Sequence, residues 1–384
     1  MRFIHIGDLH LGKTLGEYDL IDDQKFLLDQ ILETIKEKSV DAVLIAGDVY
    51  DRSLPSEAAV NLLDYFLSSL ADNGVKAYLI SGNHDSEERL NYGKHFFAGR
   101  GIFIVSKFEG NLEICEAEDE YGKLNICLLP FIKASQVRFY YPEEEIGSYD
   151  DAVKTVIEHA NVNYDERNIL IAHQFVVGET DPAIAGSEGP SVQNVGLVEK
   201  INCDSLKQFD YVALGHLHSP QQVGHEHIRY SGSLLKYSLS EVNSRKSVPI
   251  ISIKEKGNVE IELVPLKPKR DLRHITGKLE QLLKRENITD TDDFMYVTLT
   301  DEDIINDAMG IIRQYYPNTV KIDYNNSHTK EIEDFSVGEI TENKSFDELI
   351  SDFYRLMYGT DISEEELKIM MDVAREAGVV HEAN

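Results

Sequence analysis

The chain is short of cysteine, of proline, of long apolar runs and of positive charge, and each shortage excludes something. Its three cysteines, Cys115, Cys127 and Cys203, are an odd number without CxxC spacing, in or near apolar stretches. That argues against a disulfide framework or a thiolate metal site, and for reduced structural thiols in a cytoplasmic protein. Only 10 prolines among 384 residues, with 42% apolar residues, argue against extended disorder. The longest apolar runs, such as Ala42-Val43-Leu44-Ile45-Ala46, are of strand length. Nothing approaches the ~18 residues of a membrane span. Met1 to Asp8 enter a strand at once, with no signal-peptide h-region.

Positive charge is the fourth shortage. Against 68 Asp and Glu stand 38 Lys and Arg, a net charge of −30, which argues against gripping nucleic acid by bulk electrostatics. The excess is uneven, since residues 331–384 hold 15 acidic and 4 basic side chains. Divalent cations at a carboxylate site would also offset charge locally. Charge alone therefore does not choose the partner.

What is present first is alternation. Phe3–Ile6, Asp41–Ala46 and Lys76–Ile80 read as strands, separated by helices over Asp22–Lys38 and from Ser56 to about Ala71. In the first helix Phe26, Leu27, Ile31, Leu32 and Ile35 form the expected apolar stripe. This β-α-β-α-β order predicts parallel strands with helices on the sheet faces. From Gly101 the pattern turns strand-rich, and a loop over Gly178–Val195 is long enough for a lid. The expected fold class is α/β, two sheets packed face to face with helices outside. After a linker at Lys267-Pro268-Lys269-Arg270 comes a small α/β module, with helices expected over Gly277–Arg285 and Asp303–Tyr315. A polar segment, Asn325–Lys344, leads to a helical pair, Phe346–Tyr358 and Glu364–Ala377.

Five strands end in metal-type ligands. These endings are Asp8-Leu9-His10; Gly47-Asp48-Val49-Tyr50-Asp51; Gly82-Asn83-His84-Asp85; His173; and Gly215-His216-Leu217-His218. In open α/β sheets sites form at this end of the strands. Residues i and i+2 share a face of extended backbone, so Asp8/His10 and His216/His218 are each expected to aim two ligands at one place. Carboxylate, imidazole and amide donors without cysteine suit Mn²⁺, Fe or Zn²⁺. A single Asp-x-His or Gly-Asp is ordinarily a turn or cap, and a single histidine ordinarily packs. Five such endings in one fold are not independent accidents. His225-Glu226-His227 reads instead as a polar hairpin turn, and His5, His159, His274 and His381 read as structural.

Motif for motif, these endings resemble the calcineurin-like metallophosphoesterase superfamily. Gly7–Lys13, Ala46–Asp51, His173–Val177, Gly215–Ser219 and Tyr230-Ser231-Gly232-Ser233 narrow the resemblance to its SbcD-type family of bacterial nuclease subunits. The resemblance implies a two-sheet α/β sandwich over 1–268, a capping, DNA-facing α/β domain over 269–330, and a C-terminal helical pair over 345–380 that docks a partner. It implies two Mn²⁺ ions, one held by Asp8, His10, Asp48 and His218, the other by Asp48, Asn83, His173 and His216, with Asp48 bridging. His84 would be catalytic and unligated, oriented by Asp51; Arg52 is read equally as a phosphate contact and as a solvated side chain. The implied activity is a two-metal exo- and endonuclease for DNA recombination, replication and repair. The implied partners are DNA and an SbcC-type, SMC-like ATPase, in a heterotetramer containing a nuclease homodimer. A phosphodiesterase or phosphatase acting on nucleotides or proteins is the alternative. Lys267, Lys269, Arg270, Arg273, Lys278, Lys284 and Arg285 are compatible with a DNA-facing patch and with a solvated linker face.

Overall fold

A crossover helix returns the chain to the same end of a sheet, so the strands it joins run parallel. In the computed structural model, β1 (Arg2–Ile6), β2 (Ala42–Ala46), β3 (Lys76–Ile80) and β4 (Ile102–Val105) pair in this way. A second sheet follows, built from β5 (Glu113–Asp119), β6 (Gly122–Leu129), β7 (Arg167–His173), β8 (Tyr211–Gly215), β9 (Gln221–Val223) and β10 (His225–Tyr230). The chain then returns to the first sheet with β11 (Ser247–Ile253) and β12 (Val259–Pro265). The two six-stranded sheets have the orders β12-β11-β1-β2-β3-β4 and β9-β10-β8-β7-β6-β5. Residues 1–188, 199–327, 346–358 and 361–376 are described.

The sheets face each other across a core that joins Phe3, Leu44 and Tyr78 to Ile126, Ile171 and Tyr211. Strands such as β7 are apolar throughout because they are covered on both faces. Ile169 and Ile171 point between the sheets. Leu170 points outward, to a cluster with Val137 and Val156 from helices Ala134–Tyr140 and Tyr149–His159. Outside the first sheet lie helices Ile21–Lys38 and Glu57–Asp72, the latter capped by Ser56, whose Oγ accepts from Ala59 N at 3.2 Å. The apolar stripe of the first helix is rotated from the expected one. Phe26 is 42% exposed, while Leu28, with Leu27, Ile31 and Ile35, is buried. All three cysteines are free thiols.

Arg167 opens β7 at 2% exposure. Its guanidinium forks onto Asp119 at 2.6 and 3.2 Å and donates to the Lys254 carbonyl at 2.9 Å. Against the upward push of burial, Arg167 and the Met1 amino group hold the Asp119 carboxyl well below its usual range. Removing Asp119 takes its charge partner from the buried Arg167 guanidinium. Because Asp119 is only partly buried, Asp119→Asn is expected to lose about 1–3 kcal/mol of stability at pH 7, read as a lower urea midpoint at unchanged m-value. A folded pKa below the unfolded one contributes stability above pH ~4, so the deficit should shrink as pH falls below that value. An unchanged midpoint at pH 7 would refute the pairing.

The chain divides into two units, Met1–His274 with Asp292–Met295, and Ile275–Thr291 with Tyr296–Asn384. Residues 272–324 carry a three-stranded sheet of Leu272–Gly277, Phe294–Leu299 and Thr319–Tyr324, in that order. Here the structure departs from the expected helices. Gly277 closes a strand, so the first helix is a single turn, Leu279–Leu282. The second shortens to Ala308–Arg313 because the Asp307 carboxylate caps it, accepting from Gly310 N at 3.2 Å. The final helices are Phe346–Tyr358 and Glu364–Glu376, and Tyr354 OH donates to Glu366 at 3.1 Å between them. Ile369 and Val373 are 63% and 59% exposed. The part of the lid beyond residue 188, residues 328–344 of the polar segment, Ala377 and His381 lie outside the described residues, as do the side chains of Phe346, Phe353, Leu356 and Met357.

Candidate active site

Parallel pairing brings the C-terminal ends of β1, β2 and β3 to one rim, and those of β7 and β8 to the facing rim. The turns there are tight. Asp8, His10, Asp48 and His216 have φ of 50, 42, 46 and 104°, a region that costs a non-glycine residue on the order of 1 kcal/mol or more. The ligands are therefore not presented by extended backbone, as the i, i+2 argument expected. Two glycines admit the close approach. A Cβ on Gly82 would fall 2.1 Å from Asp48 Oδ1, and one on Gly215 would fall 1.9 Å from the Ala46 carbonyl oxygen.

The seven candidate ligands converge as two groups. In one, His10 Nε2 and His218 Nε2 stand 3.0 Å apart, and Asp8 completes a cluster whose ligand atoms lie within 4.8 Å of one another. In the other, His173 Nε2 is 3.3 Å from Asp48 Oδ2 and 3.1 Å from Asn83 Oδ1, which is 3.0 Å from His216 Nδ1. Asp48 Oδ2 is also 3.7 Å from His10 Nε2, so one carboxylate reaches both groups. His216 and His218 thus part company, each joining a different group.

The electrostatics favour a cation. Burial pushes His10 down, His218 well down, and His216 to about 3, so these rings are neutral and offer lone pairs. Burial also raises the Asp8 carboxyl, and its Oδ2 has no hydrogen-bond partner among the described residues, although Oδ1 accepts from His216 N at 2.8 Å. His173 Nδ1 donates to the Ala46 carbonyl at 2.8 Å, which turns Nε2 toward the Asp48 and Asn83 oxygens. Burial would lower this ring, yet Asp48 lifts it to about 9. A metal ion does the same work as that proton, meeting lone pairs that otherwise face each other. The donor set and the orphan Asp8 oxygen fit two divalent cations.

His84 stands beside these groups. Its main-chain N–H donates to Asp48 Oδ1 at 2.9 Å, and its Nδ1 lies 3.2 Å from the Asp51 main-chain carbonyl. The Asp51 carboxylate, expected to orient His84, turns instead to Lys13 Nζ at 2.7 Å and lies 3.5 Å from His10 Nδ1. Arg52 is 78% exposed and 3.6 Å from Asp51. Asp85 ties two loops together, accepting from Val49, Tyr50 and Gly82 N–H groups at 2.9 to 3.1 Å.

Several supporting residues carry no spacing signal. Gln24 Nε2 donates to the His10 carbonyl at 2.7 Å, and Tyr237 OH donates to the Leu9 carbonyl at 2.8 Å. Ser187 Oγ lies 2.6 Å from His218 Nδ1 and donates to buried Glu241, which pairs with Lys246 Nζ at 2.6 Å. His225-Glu226-His227, expected in a turn, begins β10, because Gly224 at φ 64° completes the reversal one residue earlier. His225 Nε2 meets Asp204 Oδ1 at 3.0 Å.

Two ligand groups sharing one carboxylate, at the facing rims of a two-sheet sandwich, make the dinuclear metal site of a metallophosphoesterase. The family model described as calcineurin-like phosphoesterase matches residues 1–220, and one described as type 5 capsule protein repressor C-terminal domain matches residues 268–358. The SbcD subunit of the SbcCD nuclease from Staphylococcus epidermidis is 34% identical over 368 residues, covering 95% of each chain. A dimetal phosphatase from Danio rerio is 11% identical with a TM-score of 0.39, covering 70% of this chain and 99% of that one. The chain belongs to the calcineurin-like phosphoesterases and, within them, to the SbcD-type nuclease subunits.

Proposed function

We propose that this chain is the Mn²⁺-dependent nuclease subunit of an SbcCD-type complex, an exonuclease on duplex DNA and an endonuclease on single strands and hairpins, serving DNA recombination, replication and repair. One observation carries the reading. Likeness to a nuclease subunit runs over 95% of both chains, so it takes in the C-terminal unit, for which a small-molecule phosphoesterase has no use.

In this reading Asp8, His10, Asp48 and His218 hold one metal, and Asp48, Asn83, His173 and His216 hold the other. Bound there, the two cations supply Lewis acidity to the phosphate and lower the pKa of water. The chain's own residues position and protonate. Asn83 contributes a neutral oxygen. With His84 Nδ1 directed at the Asp51 carbonyl, the Nε2 side is left to deliver a proton to the leaving oxygen. The Asp51 carboxylate acts one step away, through His10.

Residues 1–268 would form the nuclease domain, 269–330 the DNA-facing cap, and 345–380 the segment that docks an SbcC-type, SMC-like ATPase. The exposed Ile369, Met370 and Val373 support such docking. Arg270 and Arg273 are drawn into ion pairs with Asp23 and Asp293. DNA contact would then fall to the exposed Lys267, Lys269, Lys278, Lys284 and Arg285. The assembly would be a heterotetramer containing a nuclease homodimer, in the cytoplasm. Among the described residues no helix is long and apolar enough to cross a membrane.

Purified protein with Mn²⁺ should cut labelled duplex or hairpin DNA, alongside a small chromogenic phosphodiester. If the ester is cut while the DNA stays intact, the substrate is not DNA.

A further inference from the structure

Beside Asn83 and His216 the first unit opens a cavity of about 350 Å³ that the two-metal chemistry does not itself use. Its walls are aromatic on one part and polar on another, where Glu199 lines it with Asn83 and His216. Phe131, Tyr149 and Phe175 line it, and the Phe131 ring lies 6.4 Å from that of His216, its plane tilted by 28°. Phe131 is tied to the loop after β3, its N–H donating to the Ser81 carbonyl at 3.0 Å. Gln174, next to His173, lines the same cavity at 1% exposure. Its Nε2 donates to the Ile132 carbonyl at 3.1 Å, which leaves Oε1 facing away from that bond, buried and without a partner among the described residues. Buried acceptors are normally matched. Lys133 stands at the rim, exposed.

Aromatic faces beside one unmatched buried acceptor fit a heteroaromatic ring that carries an N–H on its edge. An aliphatic chain fits less well, because it would leave that acceptor unmatched. A phosphodiester held between the two ligand groups carries a nucleoside on each side. We propose that this cavity receives the base of the nucleotide flanking the scissile phosphate, with the base stacked on the aromatic walls and an N–H of its edge donating to Gln174 Oε1. The proposal rests on the nuclease reading above.

The test is a four-way comparison with Mn²⁺-loaded full-length protein. Single-stranded oligonucleotides carry either a normal base or a tetrahydrofuran abasic residue, on one side and then the other of a defined cleavage position. Stacking of one base on aromatic side chains predicts that, in the wild type, removing the base on one side lowers kcat/KM by about tenfold or more. In Phe131→Leu, which keeps apolar bulk but loses the ring, and in Gln174→Leu, the penalty should shrink to within about twofold. Two variants keep the test open should one of them fold poorly. An equal penalty in wild type and variants, or none in wild type on either side, overturns the pocket while the nuclease reading stands. Wild type that cuts neither oligonucleotide overturns the nuclease reading, and the proposal with it.

Discussion

Asp48→Asn should leave a folded protein that has lost its metal pair and most of its activity. Asp48 is 2% exposed, and its carboxylate lies within reach of both ligand groups, 3.3 Å from His173 and 3.7 Å from His10. Its Oδ1 accepts the His84 main-chain N–H at 2.9 Å, a bond that an asparagine oxygen can keep, so the loop should survive. What the amide cannot supply is the negative charge that two cations share. Metal assistance is worth several kcal/mol at the transition state. At ~1.4 kcal/mol per decade, the variant should lose on the order of 10³-fold in kcat. Elemental analysis after dialysis should find fewer than two metals per chain. Two tightly held metals with full activity would remove Asp48 from the bridging position.

His84→Gln should behave differently, keeping both metals and losing the chemistry. His84 borders both groups without joining either, its ring centroid 5.0 Å from that of His10. General acid catalysis contributes roughly 10²–10⁴-fold, and that is the expected loss in kcat on DNA, with metal content unchanged. The leaving group provides the sharper comparison. A nitrophenolate leaves without a proton, so on a nitrophenyl phosphodiester the same variant should lose about tenfold or less. Equal losses on both substrates would mean that His84 holds structure or metal rather than donating a proton. Because only the main-chain carbonyl of Asp51 meets His84, Asp51→Ala should not reproduce this leaving-group dependence.

Much of this centre was legible in the sequence. Asp8, His10, Asp48, Asn83, His84, His173, His216 and His218 stand out because each breaks an apolar strand at its last residues, where α/β sheets place their sites. Ser56 announces its helix for a similarly local reason, since a hydroxyl one residue before a helix has N–H groups to accept. Other features have no local signature. Gln24 sits in an amphipathic helix and looks like any polar position there, until tertiary folding lays it against the Leu9 and His10 carbonyls. Glu241 and Lys246 are two charges in a charged chain, and only folding buries them as a pair behind His218. The rotation that exposes Phe26 and buries Leu28 likewise depends on which face meets the sheet.

By itself, then, the sequence determined the alternating architecture, the end of the sheets that carries the chemistry and the residue types gathered there. These depend on periodicity and on the few residues that end each strand, which are local properties. Spacing alone aimed His216 and His218 at one place, and the division of the candidate ligands was implied only by the family resemblance until the tertiary structure grouped them. It sent neighbouring His216 and His218 to different groups, placed Asp48 between them, and turned the Asp51 carboxylate to Lys13 while its carbonyl met His84. Those outcomes depend on left-handed turns at Asp8, His10, Asp48 and His216. Such turns are held by contacts between two sheets far apart in the chain, and no local pattern encodes them.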